Sequence, residues 1–252
     1  MIKSRNNTGS LNASLTKALL SFAFFGLLCF SLNANEADDL KKLGELLSKA
    51  RSFSVDIKIK TYKKAGDEKP ASTSEASLRK KDELYYSSAM GQININNKHC
   101  ALSIDKNSKT ILCSPPSPAS KINEEQIKQQ FVFYDTLLKK QYNLKYIVNN
   151  DKQKIIGITM NNNKSYKKIL VHLQPQSNYL LKVEYEYNVA EGSNAAYEKV
   201  EIDYNNFTIN GNIDNEVFSE KKYISLSGRD KVSLSPAYAA YTLQNKLTDS
   251  KK

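Results

Sequence analysis

The chain has 252 residues, with 37 lysines and arginines against 26 aspartates and glutamates, giving a formal net charge of +11. A surplus of that size can favour nucleic acid or an anionic membrane, but the lysines are spread along the chain among acids, so we interpret it as a solvated surface. With two histidines, three cysteines and no His-x-x-x-His or Cys-x-x-Cys spacing, the sequence predicts neither a metal site nor a cofactor.

The first 34 residues have the pattern of a secretory signal peptide. They contain basic residues and no acids: Lys3, Arg5 and Lys17. The apolar run Ala18–Phe30 is about thirteen residues, short of the roughly 20 that a spanning helix needs. We expect cleavage after Ala34, which leaves 218 residues with a charge of +8, and export to the periplasm. Cleavage after Ala37, lipidation at Cys29 and an uncleaved membrane anchor stay open as alternatives.

An amphipathic helix is predicted next, with Asp38 or Asp39 as its N-cap. Its apolar residues recur every three or four positions: Ala37, Leu40, Leu43, Leu47 and Ala50. A strand follows, in which apolar and polar residues alternate from Phe53 to Lys60.

Short strand-like segments then follow one another closely, which predicts an antiparallel meander. They are Glu75–Leu78, Leu84–Met90, Gln92–Ile95, Cys100–Ile104 and Thr110–Cys113.

The last two of these segments carry the cysteines that remain after cleavage. With Lys106 and Asn107 as a two-residue turn, Asp105 faces Ser108 and Cys100 faces Cys113. Such a pair can form a cross-strand disulfide in an oxidising compartment. We expect this bridge to be a structural staple, with two unpaired thiols as the alternative.

A proline-rich link, residues 115–118, precedes a second predicted helix from Glu124 to Tyr142. One apolar stripe runs along this helix: Ile127, Phe131, Tyr134 and Leu138.

A second meander follows in the segments Leu144–Val148, Lys154–Met160, Lys167–Leu173, Tyr179–Tyr187 and Tyr197–Tyr204. About ten strands and two helices predict an α+β fold with one large curved antiparallel sheet and helices on one side. We expect residues 35–224 to form this domain and residues 225–252 to be a C-terminal extension.

Residue patterns that would indicate catalysis are scarce. His99 and His172 each lie in a strand pattern, and neither a nucleophile elbow nor a phosphate-binding glycine loop is present. We therefore expect no enzymatic activity and no catalytic residues. Fifteen tyrosines and no tryptophan suit a sheet that packs against itself, a lipid or a partner protein, and export argues against nucleic acid.

The order of these elements resembles the LolA-like family of periplasmic lipoprotein carriers. The resemblance lies in four segments: the helix and first strand over Ala37–Ile57, the aromatic strand Leu78–Tyr86, the hairpin Ile93–Asp105 and the closing segment Asn215–Tyr223. It implies an unclosed β-barrel with two or more helices as a lid, over a cavity that receives acyl chains.

The resemblance also implies partners and a site. An inner-membrane ABC-type complex would release lipoproteins to this carrier, which would pass them, as a monomer, to an outer-membrane acceptor. Alternating apolar residues are the candidate cavity lining, although a one-residue register slip swaps the faces: Phe53, Val55, Ile57, Ile59, Leu84, Tyr86, Ile93, Ile95, Val183 and Tyr185. The stripe of the second helix would belong to the lid. The alternatives are an envelope sensor on the same fold or, with less support, an exported enzyme.

Overall fold

A computed structural model describes residues 35–116, 142–160, 166–189, 197–228 and 231–247. These ranges contain one α-helix, α1 (Asn35–Lys49). The strands are, in chain order, β1 (Ser52–Tyr62), β2 (Ser72–Lys81), β3 (Leu84–Ala89), β4 (Gln92–Asn96), β5 (Ala101–Asp105), β6 (Thr110–Ser114), β7 (Tyr142–Asn149), β8 (Lys154–Met160), β9 (Tyr166–Leu173), β10 (Leu180–Tyr187), β11 (Lys199–Ile209), β12 (Ile224–Ser227), β13 (Lys231–Leu234) and β14 (Thr242–Asn245).

Helix α1 buries the predicted apolar stripe, since all five of its residues are buried. The helix begins at Asn35, ahead of the predicted caps. Asp39 lies inside the helix, where its carboxylate binds side chains of the sheet instead of capping the first turn.

Twelve strands form one unclosed, mostly antiparallel sheet in the order β14-β6-β5-β4-β3-β2-β1-β11-β10-β9-β8-β7. The two predicted meanders therefore lie side by side, joined where β1 pairs with β11 from Phe53↔Ile209 to Tyr62↔Lys199. The exception to antiparallel pairing is β14, which runs parallel to β6. Strands β12 and β13 form a separate two-stranded hairpin.

Apolar residues pack on both faces of the sheet, in different halves. The face against α1, called here the helix-side face, carries a cluster named the helix-side core. Its buried residues are Leu40, Leu43, Leu47, Ala50, Phe53, Val55, Ile57, Ile59, Leu78, Tyr85, Ile156, Ile169, Val171, Leu173, Leu180, Val183, Tyr185, Val200, Ile202 and Tyr204. The opposite, outer face carries the outer core: Ile93, Ile95, Cys100, Leu102, Ile104, Ile111, Cys113, Tyr223, Ile224 and Leu247. On β3, adjacent Tyr85 and Tyr86 contact different cores, as strand geometry requires.

The segment predicted as a C-terminal extension covers the outer core. Residues 223–228 and 231–247, called here the C-terminal segment, contribute Tyr223, Ile224 and Leu247 to that core, and Leu226, Val232, Leu234 and Leu243 of the predicted extension pack against it. In addition, β14 pairs with β6 over Thr242–Asn245. This part of the chain therefore belongs to the same packed unit as the sheet.

The described residues thus form a mostly β fold with one short helix rather than an α+β fold with a lid of two or more helices. The second predicted helix, with Ile127, Phe131, Tyr134 and Leu138, lies outside the described residues, except that Tyr142 begins β7. No helix within the described ranges is long and apolar enough to cross a membrane.

Candidate functional site

A buried polar cluster fixes α1 to one end of the sheet. The Asp39 carboxylate accepts a hydrogen bond from the Tyr146 hydroxyl at 2.7 Å and lies 2.8 Å from the Lys154 ammonium. The Asn178 amide donates to the same carboxylate at 3.4 Å. Burial favours a raised pKa for Asp39, but the hydrogen bonds from Lys154 and Tyr146 outweigh it and lower the pKa. An ionised carboxylate therefore holds α1 where β8 begins.

A tyrosine cluster lies at the opposite end of the same strands. Tyr166 begins β9, Tyr187 ends β10, and Tyr197 precedes β11. The ring centroid of Tyr166 lies 5.9 Å from that of Tyr185 and 5.2 Å from that of Tyr187. The ring centroids of Tyr187 and Tyr197 lie 5.7 Å apart. Three of these rings, those of Tyr166, Tyr187 and Tyr197, are partly exposed and pack against the helix-side core. The cluster therefore presents an aromatic surface continuous with that core.

Helix α1 does not reach across the whole helix-side face. Its 15 residues span about 22 Å, and its polar anchors, Tyr146, Lys154 and Asn178, lie at the end where β8 and β10 begin. The tyrosine cluster lies where β10 ends. Among the residues that the structure describes, the polar anchors of α1 and the tyrosine cluster therefore lie at opposite ends of this face.

A groove of about 280 Å³ lies on the helix-side face of β3 to β6. Its lining mixes Tyr85, Ala101 and Leu112 with Ser87, Asn94 and Asn96, and apolar atoms make up the larger part of it. The groove is thus a second partly apolar surface on this face, separate from the tyrosine cluster.

Charged side chains form a network on the outer face of β9, β10 and β11. One Glu184 oxygen lies 2.8 Å from both His172 Nε2 and Lys182 Nζ, and the other lies 3.0 Å from Lys199 Nζ. Lys199 continues to Glu201 at 2.7 Å. The close contact with His172, helped by the hydrogen bonds from Lys182 and Lys199, holds the pKa of Glu184 far below its ordinary value although burial opposes the shift.

The network extends to β1 through further short contacts. The Tyr62 hydroxyl donates to Glu201 at 3.0 Å, and Lys60 Nζ lies 2.7 Å from Asp203. Burial raises the pKa of Tyr62, as does its bond to the Glu201 carboxylate. Carboxylates that stay ionised in fixed ion pairs hold strands together, but they are poorly matched to general acid–base work near neutral pH. Within the described ranges, no three His, Cys, Asp or Glu side chains gather as a metal site.

The ten candidate lining residues fall into three groups. Six belong to the helix-side core, with exposed fractions of 0–4%: Phe53, Val55, Ile57, Ile59, Val183 and Tyr185. Ile93 and Ile95 lie instead in the outer core, and Tyr86 packs against it. Leu84 is half-buried and belongs to neither cluster. The structure therefore does not bring the ten together on one face.

The predicted register of the two cysteines is wrong. Cys100 and Cys113 are free, buried thiols. The turn holds four residues, so Asp105 faces Thr110 and Leu102 faces Cys113. Asp105 stabilises this turn by accepting hydrogen bonds from the N–H groups of Asn107 and Ser108.

Two groups of the site did not emerge from sequence patterns. Asp39 and Lys154 are far apart in the chain, and no local pattern joins them. Tyr166 and Tyr197 lie at strand ends, where alternation is weakest, although the number of tyrosines in the second meander was a usable signal.

No protein-family model matches the sequence, and no curated protein matches it either.

Solved structures with related architecture were found at low similarity. An uncharacterized conserved protein from Thermus thermophilus has a TM-score of 0.39 and 6% identity, over 71% of this chain and 90% of that one. MucB in complex with MucA(peri) has a TM-score of 0.40 and 11% identity, over 73% of this chain and 59% of that one.

A third structure is that of the CwlD amidase from Clostridioides difficile in complex with the GerS lipoprotein. Its matched chain has a TM-score of 0.20 and 10% identity, over 82% of this chain and 99% of that one. At such scores we derive neither a family nor a function from these similarities.

Proposed function

We propose that this protein is an exported carrier that binds acyl chains noncovalently at the tyrosine cluster. The observation that carries the proposal is the partly exposed aromatic surface of Tyr166, Tyr187 and Tyr197, which continues the helix-side core beyond the reach of α1. An alkyl chain could lie against the exposed parts of these rings. The six core residues that were candidate lining already pack against one another and α1.

Contact at a partly exposed surface suits a carrier energetically. Each buried methylene contributes about 0.8 kcal/mol, so full sequestration of several acyl chains would make release slow. Tyrosine rings offer an apolar surface with a polar edge, which matches the boundary between an acyl chain and its headgroup. Partial burial beside the rings therefore allows both binding and transfer.

In this proposal the protein works in the periplasm as a nonenzymatic monomer. The leader-like first 34 residues support export. The resemblance of the element order to LolA-like carriers supports lipoproteins as the cargo, an inner-membrane ABC-type complex as the donor and an outer-membrane acceptor as the recipient.

The proposal is tested with a fluorophore-labelled palmitate as the probe. Purified mature protein is titrated with the probe, and the affinity is measured from the fluorescence change. A charged side chain in the tyrosine cluster, introduced as Tyr187→Asp, should weaken binding about tenfold or more, the equivalent of losing contact with about two methylenes.

The matched control is Tyr238→Asp, because Tyr238 is also a partly buried tyrosine but packs against the outer core. This variant should bind the probe like the parent protein. Absence of binding to the parent protein, or equal weakening by both substitutions, contradicts the proposed site. Capture of a membrane signalling protein from the envelope without any copurified lipid would support the sensor role instead.

A further inference from the structure

Cys100 and Cys113 lie together in the outer core. Both have exposed fractions of 0% and belong to the same apolar cluster. Cys113 lies on β6, and Cys100 immediately precedes β5. Cys100 is therefore placed diagonally across the hairpin from Cys113, with Leu102 opposite Cys113. The two buried thiols thus lie on one face of one hairpin, and a bond between them requires the hairpin to adjust its backbone.

The C-terminal segment shields this pair from solvent. Tyr223, Ile224 and Leu247 complete the outer core around the two thiols. Because β14 pairs with β6 next to Cys113, through Asn245↔Cys113, the backbone of the segment also lies beside the second cysteine. Oxidation from solution therefore requires the segment to move.

Asn97 couples the position of Cys100 to the same part of the chain. Its side-chain oxygen accepts hydrogen bonds from the N–H groups of His99 and Cys100, at 2.8 and 3.0 Å. Its amide nitrogen donates to the Phe218 carbonyl at 2.9 Å and to the Glu220 carboxylate at 2.6 Å. The loop that holds Cys100 is thus tied to the residues that lead into the C-terminal segment.

We propose that Cys100 and Cys113 form a protected dithiol, which a small-molecule disulfide converts to an intramolecular disulfide only while the C-terminal segment is undocked. One cysteine thiolate attacks the small disulfide, forms a mixed disulfide and releases one small thiolate. The second cysteine thiolate attacks the protein sulfur of the mixed disulfide and releases the other. The two protein thiols lose two protons and two electrons, and the small disulfide is reduced to two thiols.

The test measures oxidation of the folded, fully reduced protein by oxidised glutathione. Intact-mass spectrometry follows the loss of two hydrogens from the protein, and a thiol-labelling gel shift gives the rate. Leu247→Ala loosens the C-terminal segment and should speed disulfide formation about tenfold. Asn97→Ala breaks the link to Phe218 and Glu220 without removing an apolar side chain, and it should also speed the reaction.

The matched control is Leu43→Ala, which removes a fully buried leucine from the helix-side core. It should leave the rate within about twofold of the parent protein under conditions in which all variants are folded. Equal acceleration by Leu43→Ala and Leu247→Ala would show that the thiols react through global unfolding, which overturns the proposal. So would glutathione adducts on both cysteines without an intramolecular bond, or parent-protein oxidation at the rate of exposed thiols.

Discussion

At the scale of single residues, the surroundings of Glu184 set a pH dependence for stability. Three cationic or hydrogen-bonding partners, His172, Lys182 and Lys199, hold its pKa below the ordinary glutamate value of 4.5. A carboxylate whose pKa is lower in the folded state stabilises the fold above its unfolded pKa. That stabilisation is lost as the pH falls below about 4.5 towards the folded-state pKa.

Replacing Glu184 with glutamine should therefore cost more stability at pH 6 than at pH 3. We expect Glu184→Gln to lower the free energy of unfolding by about 2–4 kcal/mol at pH 6, because Lys182 and Lys199 lose a buried partner. At pH 3 the loss should be about 1–2 kcal/mol smaller. Urea unfolding followed by tyrosine fluorescence measures both values.

Glu186, on the same strand and the same face, supplies the matched control. It pairs with Lys167, whose side chain is 65% exposed. The variant Glu186→Gln should change the free energy of unfolding by less than about 0.5 kcal/mol at either pH. If Glu184→Gln lowered the free energy of unfolding equally at pH 3 and pH 6, the proposed link between the pKa of Glu184 and stability would be contradicted.

Residue-level prediction from the sequence succeeded where a pattern had a clear period and failed where it did not. The alternation in β1 correctly placed Phe53, Val55, Ile57 and Ile59 on one buried face. In β3 two tyrosines are adjacent, and the sequence prediction wrongly grouped Tyr86 with the buried residues of β1. The structure places Tyr85 there, and long-range packing decides this rather than local sequence.

At the scale of elements, the C-terminal segment shows how strands can be missed when they are short. Strands β12, β13 and β14 have four residues each, and their alternation is too brief to stand out from a turn-rich tail. Their burial depends on the outer face of β4 to β6, which lies more than a hundred residues earlier in the chain. A local pattern therefore separated this segment from the domain to which it is packed.

If the C-terminal segment is part of the folded unit, shortening its buried residue must destabilise the protein. Ile224 has an exposed fraction of 0% and packs in the outer core. Ile224→Ala should lower the free energy of unfolding by about 2–4 kcal/mol. The exposed neighbour Ser225 provides the control, and Ser225→Ala should have little effect. Denaturant titration measures the free energy of unfolding of both variants. Similar values for Ile224→Ala and Ser225→Ala would contradict the packing of Ile224 in the outer core.

The hairpin of β5 and β6 shows why turn length limits prediction of register. A two-residue turn would have placed Cys100 opposite Cys113, but the Asp105 carboxylate stabilises a four-residue turn. Lys109 in this turn has a positive φ of 52°, a left-handed backbone conformation that lysine rarely adopts, so the sequence did not indicate this turn. Two added residues in the turn shift every pair in the hairpin while keeping each side chain on the same face.

At the scale of the whole molecule, the pairing of β1 with β11 makes one sheet of two meanders. Nine residue pairs between Phe53 and Tyr62 on one strand and Lys199 and Ile209 on the other join them. The helix-side core also runs across the junction, with Ile57 and Ile59 on one side and Val200 and Ile202 on the other. If one meander unfolded, apolar core residues of the other would become exposed to water.

We therefore expect the mature protein to unfold in one cooperative transition. Circular dichroism would follow loss of the sheet, and tyrosine fluorescence would follow loss of packing, since the chain has no tryptophan. The two curves should share one midpoint. Two separate midpoints would indicate that the meanders unfold independently.

The parallel pairing of β14 with β6 has a consequence for the newly made chain. Thr242 pairs with Thr110, so the outer edge of β6 is completed only after most of the polypeptide has been synthesised. Until then its open N–H and C=O groups can template association with another molecule, and contacts so distant in sequence form slowly. During biogenesis, the vulnerable period for aggregation thus lasts until the last strand of the sheet arrives.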